Sequence, residues 1–96
     1  MNNAVTVIVA IQAKPACEAS VEAAVLAVLA PTRAEPGCLR YDFYRNNQQD
    51  GALFVIGEFA DAAALERHDA TPHLHRLKQA IGPLAAIQVT RLGRIN

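Results

Sequence analysis

The histidines are the first residues to weigh for chemistry, because imidazole is the side chain that ordinarily changes charge near neutral pH. His68, His73 and His75 lie in one short stretch. His68 follows Leu65 by three residues, near the apolar side of a helical pattern. An imidazole there can act as a base or hydrogen-bond a substrate oxygen; the competing reading is a structural histidine that caps a neighbouring carbonyl. His73 opens the next helical segment, and its ring faces either a pocket or the turn before it. His75 stands beside Arg76, Lys78 and Gln79, which reads as a solvated position. Steps of five and two across a helix break do not align three imidazoles, and no Cys or carboxylate completes a zinc pattern, so no metal is expected.

Four other residues belong with these. Glu58, between Gly57 and Phe59 near the end of an apolar strand, reads either as a buried carboxylate with a raised pKa or as an ion-pair partner of Arg40, Arg45 or Arg91. Tyr41 can present a hydroxyl to a ligand, Phe59 can line an apolar wall, and Arg91 can hold an anionic oxygen. Each of these also has an ordinary role in a strand. Nothing matches a phosphate-binding glycine loop, a nucleophile elbow, or a flavin or nicotinamide fingerprint, so no cofactor is expected.

The chain that must position these groups has 96 residues, the size of one small domain spanning 1–96. Apolar residues make up 52%, but 19 of them are alanine, so the core is modest and would gain from a shared surface. The formal net charge is zero with no basic run, which excludes the electrostatic footprint of a nucleic-acid binder. No apolar stretch is long enough to span a bilayer, and Met1-Asn2-Asn3 starts no signal peptide. Cys17 and Cys38 have no CxxC spacing and are too few for a disulfide scaffold. These features predict a cytoplasmic protein with free thiols.

Ala4–Ala13 is rich in β-branched residues and reads as a strand, with Val5, Val7, Val9 and Ile11 on one face and Ile8 and Ala10 on the other. Ala16–Ala34 reads as one helix whose stripe is Cys17, Val21, Ala24, Val25, Val28, Leu29 and Thr32, with Pro31 bending or tightening its last turn. Leu29, mid-stripe, is expected to be buried. Glu35-Pro36-Gly37 ends the helix. Cys38–Asn46 alternates, placing Leu39, Tyr41 and Phe43 on one face, and a polar turn leads into a third strand over 52–60 with apolar residues on both faces. Asp61 caps a short helix through Ala70; Thr71 caps another, with Pro72 first and Leu74, Leu77 and Ile81 as its stripe. Ala86–Ile95 reads as a last strand.

The order βαββααβ predicts an α+β, ferredoxin-like sandwich: a four-stranded antiparallel sheet with helices on one face. Helices cover only one side, yet the first and third strands are apolar on both. A second copy of the chain is the simplest cover, so a homodimer is expected.

Three stretches carry a family resemblance. They are residues 31–42 (PTRAEPGCLRYD), residues 53–61 (LFVIGEFAD) and residues 68–74 (HDATPHL), the last fitting an H-x-x-T-P-H-[FL] segment. Together they resemble the antibiotic biosynthesis monooxygenase family, including its quinol monooxygenases. The resemblance implies a dimeric α/β barrel that oxidises a quinol or polycyclic phenol with O2 and needs no metal, flavin or nicotinamide. It implies a catalytic His68 with His73 and Tyr41 as helpers; Glu58, Phe59 and Arg91, from the reading of the residues, are also expected around a small aromatic substrate. Phe59 stands where many relatives have Trp, which keeps an apolar wall and removes an indole N–H. Two other readings compete: an isomerase or lyase using His68 and Glu58 as acid and base, and a non-catalytic dimer that binds a hydrophobic ligand or a protein.

Overall fold

The computed structural model describes residues 3–96; Met1 and Asn2, read above for a signal, lie outside them. Strands β1 (Val5–Ala13), β2 (Cys38–Arg45), β3 (Ala52–Phe59) and β4 (Ala85–Gly93) form one antiparallel sheet in the order β2-β3-β1-β4. The two strands that read as apolar on both faces are therefore the interior pair. Helices α1 (Glu18–Ala27), α2 (Leu29–Arg33), α3 (Ala62–Asp69) and α4 (Pro72–Ile81) complete the α+β sandwich.

Alternation in the strands decides which residues meet the helices. Val7 and Ile11 of β1 and Leu53, Val55 and Phe59 of β3 join Val21 and Val25 of α1, Leu65 of α3, and Leu74, Leu77 and Ile81 of α4 in one core. On the outer face Ile8, Ala10 and Ile56 are half-buried, while Phe54, Tyr44 and Leu92 are exposed. Cys17 and Cys38 are free thiols, and no helix among the described residues is long and apolar enough to cross a membrane.

Three expectations are corrected. The helix read over 16–34 breaks at Val28 into α1 and α2. Pro31 has no N–H for the Ala27 carbonyl, and its ring crowds that carbonyl, so the turn before it cannot stay α-helical. Val28 instead donates to the Val25 carbonyl at 3.2 Å. The kink rotates Leu29 to a half-buried position and sends Val28 and Thr32 fully into the core. In β2 a bulge lies between Cys38, opposite Phe59, and Arg40, opposite Glu58. Leu39 is the extra residue, and it leaves the face shared by Tyr41 and Phe43 to sit 57% exposed. The last strand begins at Ala85 and ends at Gly93, and Ile95 is fully exposed.

Candidate functional site

His68 reaches the core because α3 is fixed at both ends. Asp61 Oδ1 accepts the Ala64 N–H at 2.8 Å and starts the helix. Ala64, Leu65 and His68 then share its inward face, and His68 is 5% exposed. Thr71 closes the corner between α3 and α4. Its hydroxyl donates to the His68 carbonyl at 2.8 Å and accepts the Leu74 N–H at 3.3 Å. Pro72 follows at the first helical position, where its missing N–H costs nothing. The Thr-Pro pair thus sets His68 at the end of one helix and His73 at the start of the next.

Glu35 completes this arrangement from the turn between α2 and β2, a residue that sequence reasoning treated only as a helix stop. The turn lies against α3 because Gly37 has no side chain: a Cβ there would meet the Ala64 Cβ at 2.6 Å, and φ is +87°. The Gly37 carbonyl also accepts the Ala60 N–H at 2.8 Å. Glu35 is left half-buried over the end of α3, with its side chain 10% exposed. Its Oε2 lies 2.9 Å from His68 Nδ1 and 2.6 Å from His73 Nε2, and its Oε1 lies 3.1 Å from His68 Nδ1. An ionised carboxylate can only accept, so both imidazoles donate to it. For neutral rings this assigns the His68 proton to Nδ1 and frees Nε2.

The His68 ring is held between two aromatic rings, with centroids 4.9 Å from Phe59 and 5.5 Å from Tyr41. Gly57 makes room for both. A Cβ at that position would come within 3.2 Å of each ring. No hydrogen bond reaches Nε2 among the described residues, and the ring lines a cavity of about 100 Å³ between the sheet and α3 and α4. Val7, Val55, Leu65, Leu74 and Ile81 make its apolar walls, and the exposed Ile87 and Val89 of β4 also line it. Asp69 and Lys78 supply the remaining polar lining.

Tyr41 has its phenol pushed up to about 12, by burial first and then by the charges of Glu35 and Cys38, with a small opposing effect from Thr32. It is therefore a neutral donor at physiological pH and cannot serve as a base. Thr32 Oγ1, near that phenol and fully buried, has no well-formed hydrogen bond among the described residues. Burial, and secondarily Glu35, raises the Cys38 thiol as well.

The structure therefore brings Tyr41, Phe59 and His68 together at the cavity wall and sets His73 behind them, bonded to Glu35 rather than facing the cavity. Arg91 lies on the helix side of β4 and pairs with Asp69 at 3.1 Å, close to the cavity rim. Glu58 is not in the site. Period-two alternation puts it on the opposite face from Gly57 and Phe59, beside Thr6 and Arg40. Its carboxylate has no ion pair among the described residues; Arg40 is turned to Asp42 and Tyr44 instead. Glu35, Gly57, Asp69 and Lys78 were missed. Glu35 and Lys78 sit in polar segments with no local spacing that marks them.

The architecture and the sequence both have counterparts among known proteins. Residues 4–80 match the family model described as "Antibiotic biosynthesis monooxygenase". The Mycobacterium tuberculosis protein called "Putative monooxygenase Rv0793" is 31% identical over 84 residues, which cover 88% of this chain and 82% of that protein. The crystal structure of PA3566 from Pseudomonas aeruginosa superposes with a TM-score of 0.93 at 33% identity, covering 100% of this chain and 98% of that one. SnoaB from Streptomyces nogalater, described as a cofactor-independent oxygenase, shares the fold at a TM-score of 0.87 and 20% identity, over 98% and 95% of the two chains. With four-fifths of its length inside the family model, this chain belongs to the antibiotic biosynthesis monooxygenase family.

Proposed function

We propose that this protein is a cofactor-independent monooxygenase that oxidises a phenol or quinol with O2, with His68 Nε2 as the base. One observation carries the reading: His68 Nδ1–H donates to the half-buried Glu35 carboxylate, which leaves Nε2 unprotonated on a ring that lines an apolar cavity. Removing a phenolic proton makes the ring electron-rich enough to pass an electron to O2, which reacts slowly with closed-shell molecules. The resulting radical and superoxide combine on the ring. Loss of water leaves a new carbonyl or hydroxyl oxygen, so a hydroquinone and O2 become a hydroxyquinone and H2O. The imidazolium formed at His68 is held by Glu35, and its proton is available to the departing oxygen. The dry walls orient the ring and exclude competing water.

The cavity bounds the substrate. A void near 150 Å³ takes up a single benzene ring, whereas larger ligands occupy roughly 300 Å³ or more. At about 100 Å³ this cavity is smaller than that void, so even a single aromatic ring must extend toward the exposed Ile87 and Val89 of its lining. That favours a single-ring quinol over the polycyclic phenols the family resemblance implies. With Glu58 on the far face, an isomerase pairing His68 with Glu58 loses its second group.

We also infer a homodimer formed by the outer sheet faces, since Phe54, Tyr44 and Leu92 are exposed there beside a half-buried, unpaired Glu58.

The test is O2 uptake with methyl-substituted hydroquinones and reduced naphthoquinones, corrected for autoxidation. Catalysed uptake is expected, greater for the single-ring series, and reduced about 10²–10⁴-fold in His68→Ala. Uptake equal to autoxidation across both series, or undiminished in His68→Ala, rejects the assignment.

A further inference from the structure

The cluster behind the cavity has a second capability that catalysis does not use. Glu35, His68 and His73 bring one carboxylate oxygen and two imidazole nitrogens within 4.8 Å of one another. Sequence spacing argued against a metal on His68, His73 and His75; the carboxylate that joins two of them comes from a turn 33 positions before His68. The fold supplies what the spacing lacked.

We propose that Glu35, His68 and His73 form a binding site for a divalent transition-metal ion of the zinc class, and that its occupancy switches His68 off as a base. Two imidazoles and one carboxylate are a ligand set such ions accept, and the single negative charge offsets part of the ion's two positive charges. Tetrahedral zinc with bonds of about 2.0–2.1 Å separates its ligand atoms by roughly 3.3 Å. Glu35 Oε2 now sits 2.9 and 2.6 Å from the two nitrogens, so a small rotation of the carboxylate opens the triangle. Tyr41 and Phe59 hold His68 against such movement, leaving Glu35 as the adjustable member. The His73 side chain is 17% exposed, which gives the ion a path and leaves a coordination position for water.

The antagonism follows from proton placement. The two nitrogens that face Glu35 now carry N–H, and a metal needs their lone pairs. Binding therefore drives the His68 proton from Nδ1 to Nε2, the atom proposed above as the base, and an Nε2–H cannot accept a phenolic proton. The metal here is an inhibitor. The inhibition rests on the role proposed above for His68, whereas the binding does not.

The experiment uses the intact protein after chelator dialysis. Zn2+ is titrated calorimetrically, Co2+ is followed by its visible absorption, and long-range 1H–15N correlation spectra report the histidine tautomers. One ion per chain is expected, with affinity falling about tenfold or more in both Glu35→Gln and His73→Gln, a loss of the size seen when a metal site's supporting groups change. Cys17→Ser/Cys38→Ser should bind as well as the unaltered chain. The His68 proton should move from Nδ1 to Nε2 on adding Zn2+, and O2 uptake should fall and recover with chelator. No saturable binding, or binding lost only in the cysteine variant, overturns the site. Binding at the site with an unmoved His68 proton, or with undiminished uptake, overturns the switch. If no quinol is oxidised at all, the proposed function has failed, while calorimetry and the tautomer still decide the metal site.

Discussion

Exchanging Glu35 for glutamine alters one atom of the side chain and tests how the site is organised. The carboxylate accepts from His68 Nδ1 and His73 Nε2 at 2.9 and 2.6 Å. A glutamine oxygen at the Oε2 position could still accept from both rings, but the amide NH2 would then stand at the Oε1 position, 3.1 Å from His68 Nδ1, as a second donor. Two donors facing each other there favour the ring form with a lone pair on Nδ1, which moves the His68 proton to Nε2. Glutamine also removes the negative charge that stabilises the imidazolium formed in the reaction. Losing the base in this way should lower kcat by about 10²–10⁴-fold. Stability should change little, because a buried charge is replaced by a neutral group of the same shape. Glu35→Ala separates the effects: it strands the buried His68 N–H and the half-buried His73 N–H, at about 1–3 kcal/mol each. For a domain this size that lowers Tm by roughly 8 °C or more. Rates from O2 uptake, Tm from calorimetry and the tautomer from 15N spectra should be read on both variants. Wild-type kcat in Glu35→Gln, with the His68 proton shifted to Nε2, would refute the reasoning.

Further outcomes follow from packing and burial. Ile81→Ala should cost about 2–5 kcal/mol in denaturant unfolding, while Leu29→Ala, on the half-buried side of the kink, should cost less; the reverse order would mean the break at Val28 is misplaced. Gly57→Ala should destabilise by about 1–3 kcal/mol and slow turnover, since the new methyl presses on the rings that hold His68; unchanged stability and turnover would show that those rings yield freely. Tyr41 makes stability fall in alkali. Its folded value near 12 exceeds the ordinary 10, so its contribution is complete below pH 10 and is lost between pH 10 and 12. Following phenolate absorbance and unfolding together, with Tyr41→Phe as control, should show this loss only in the unaltered chain.

Much of the fold was legible because it rests on local rules. β-branched alternation marked the strands, Asp61 and Thr71 marked helix starts, and the stripe Leu74, Leu77, Ile81 marked a buried face. What escaped depended on contacts between distant segments. The bulge at Leu39 shifts one strand's faces without a signal in its own residues. Glu58 was assigned to the cavity from its neighbours, although alternation from Phe59 already placed it on the other face. The site divided the same way. His68 was legible from its step to Leu65. Glu35 was not, because its importance arises only when the turn after α2 lands on α3.

Gly37 gives that landing an implication for how such a site is inherited. The contact that brings Glu35 to His68 is an absence, the missing Cβ beside Ala64. A substitution there alters no acid, base or wall of the cavity, yet it pries the turn from the helix and parts the carboxylate from both histidines. In a duplicated copy of this chain, activity can thus vanish while every reactive side chain survives. Comparing descendants by their histidines and glutamate alone would then mistake a silent copy for a working one.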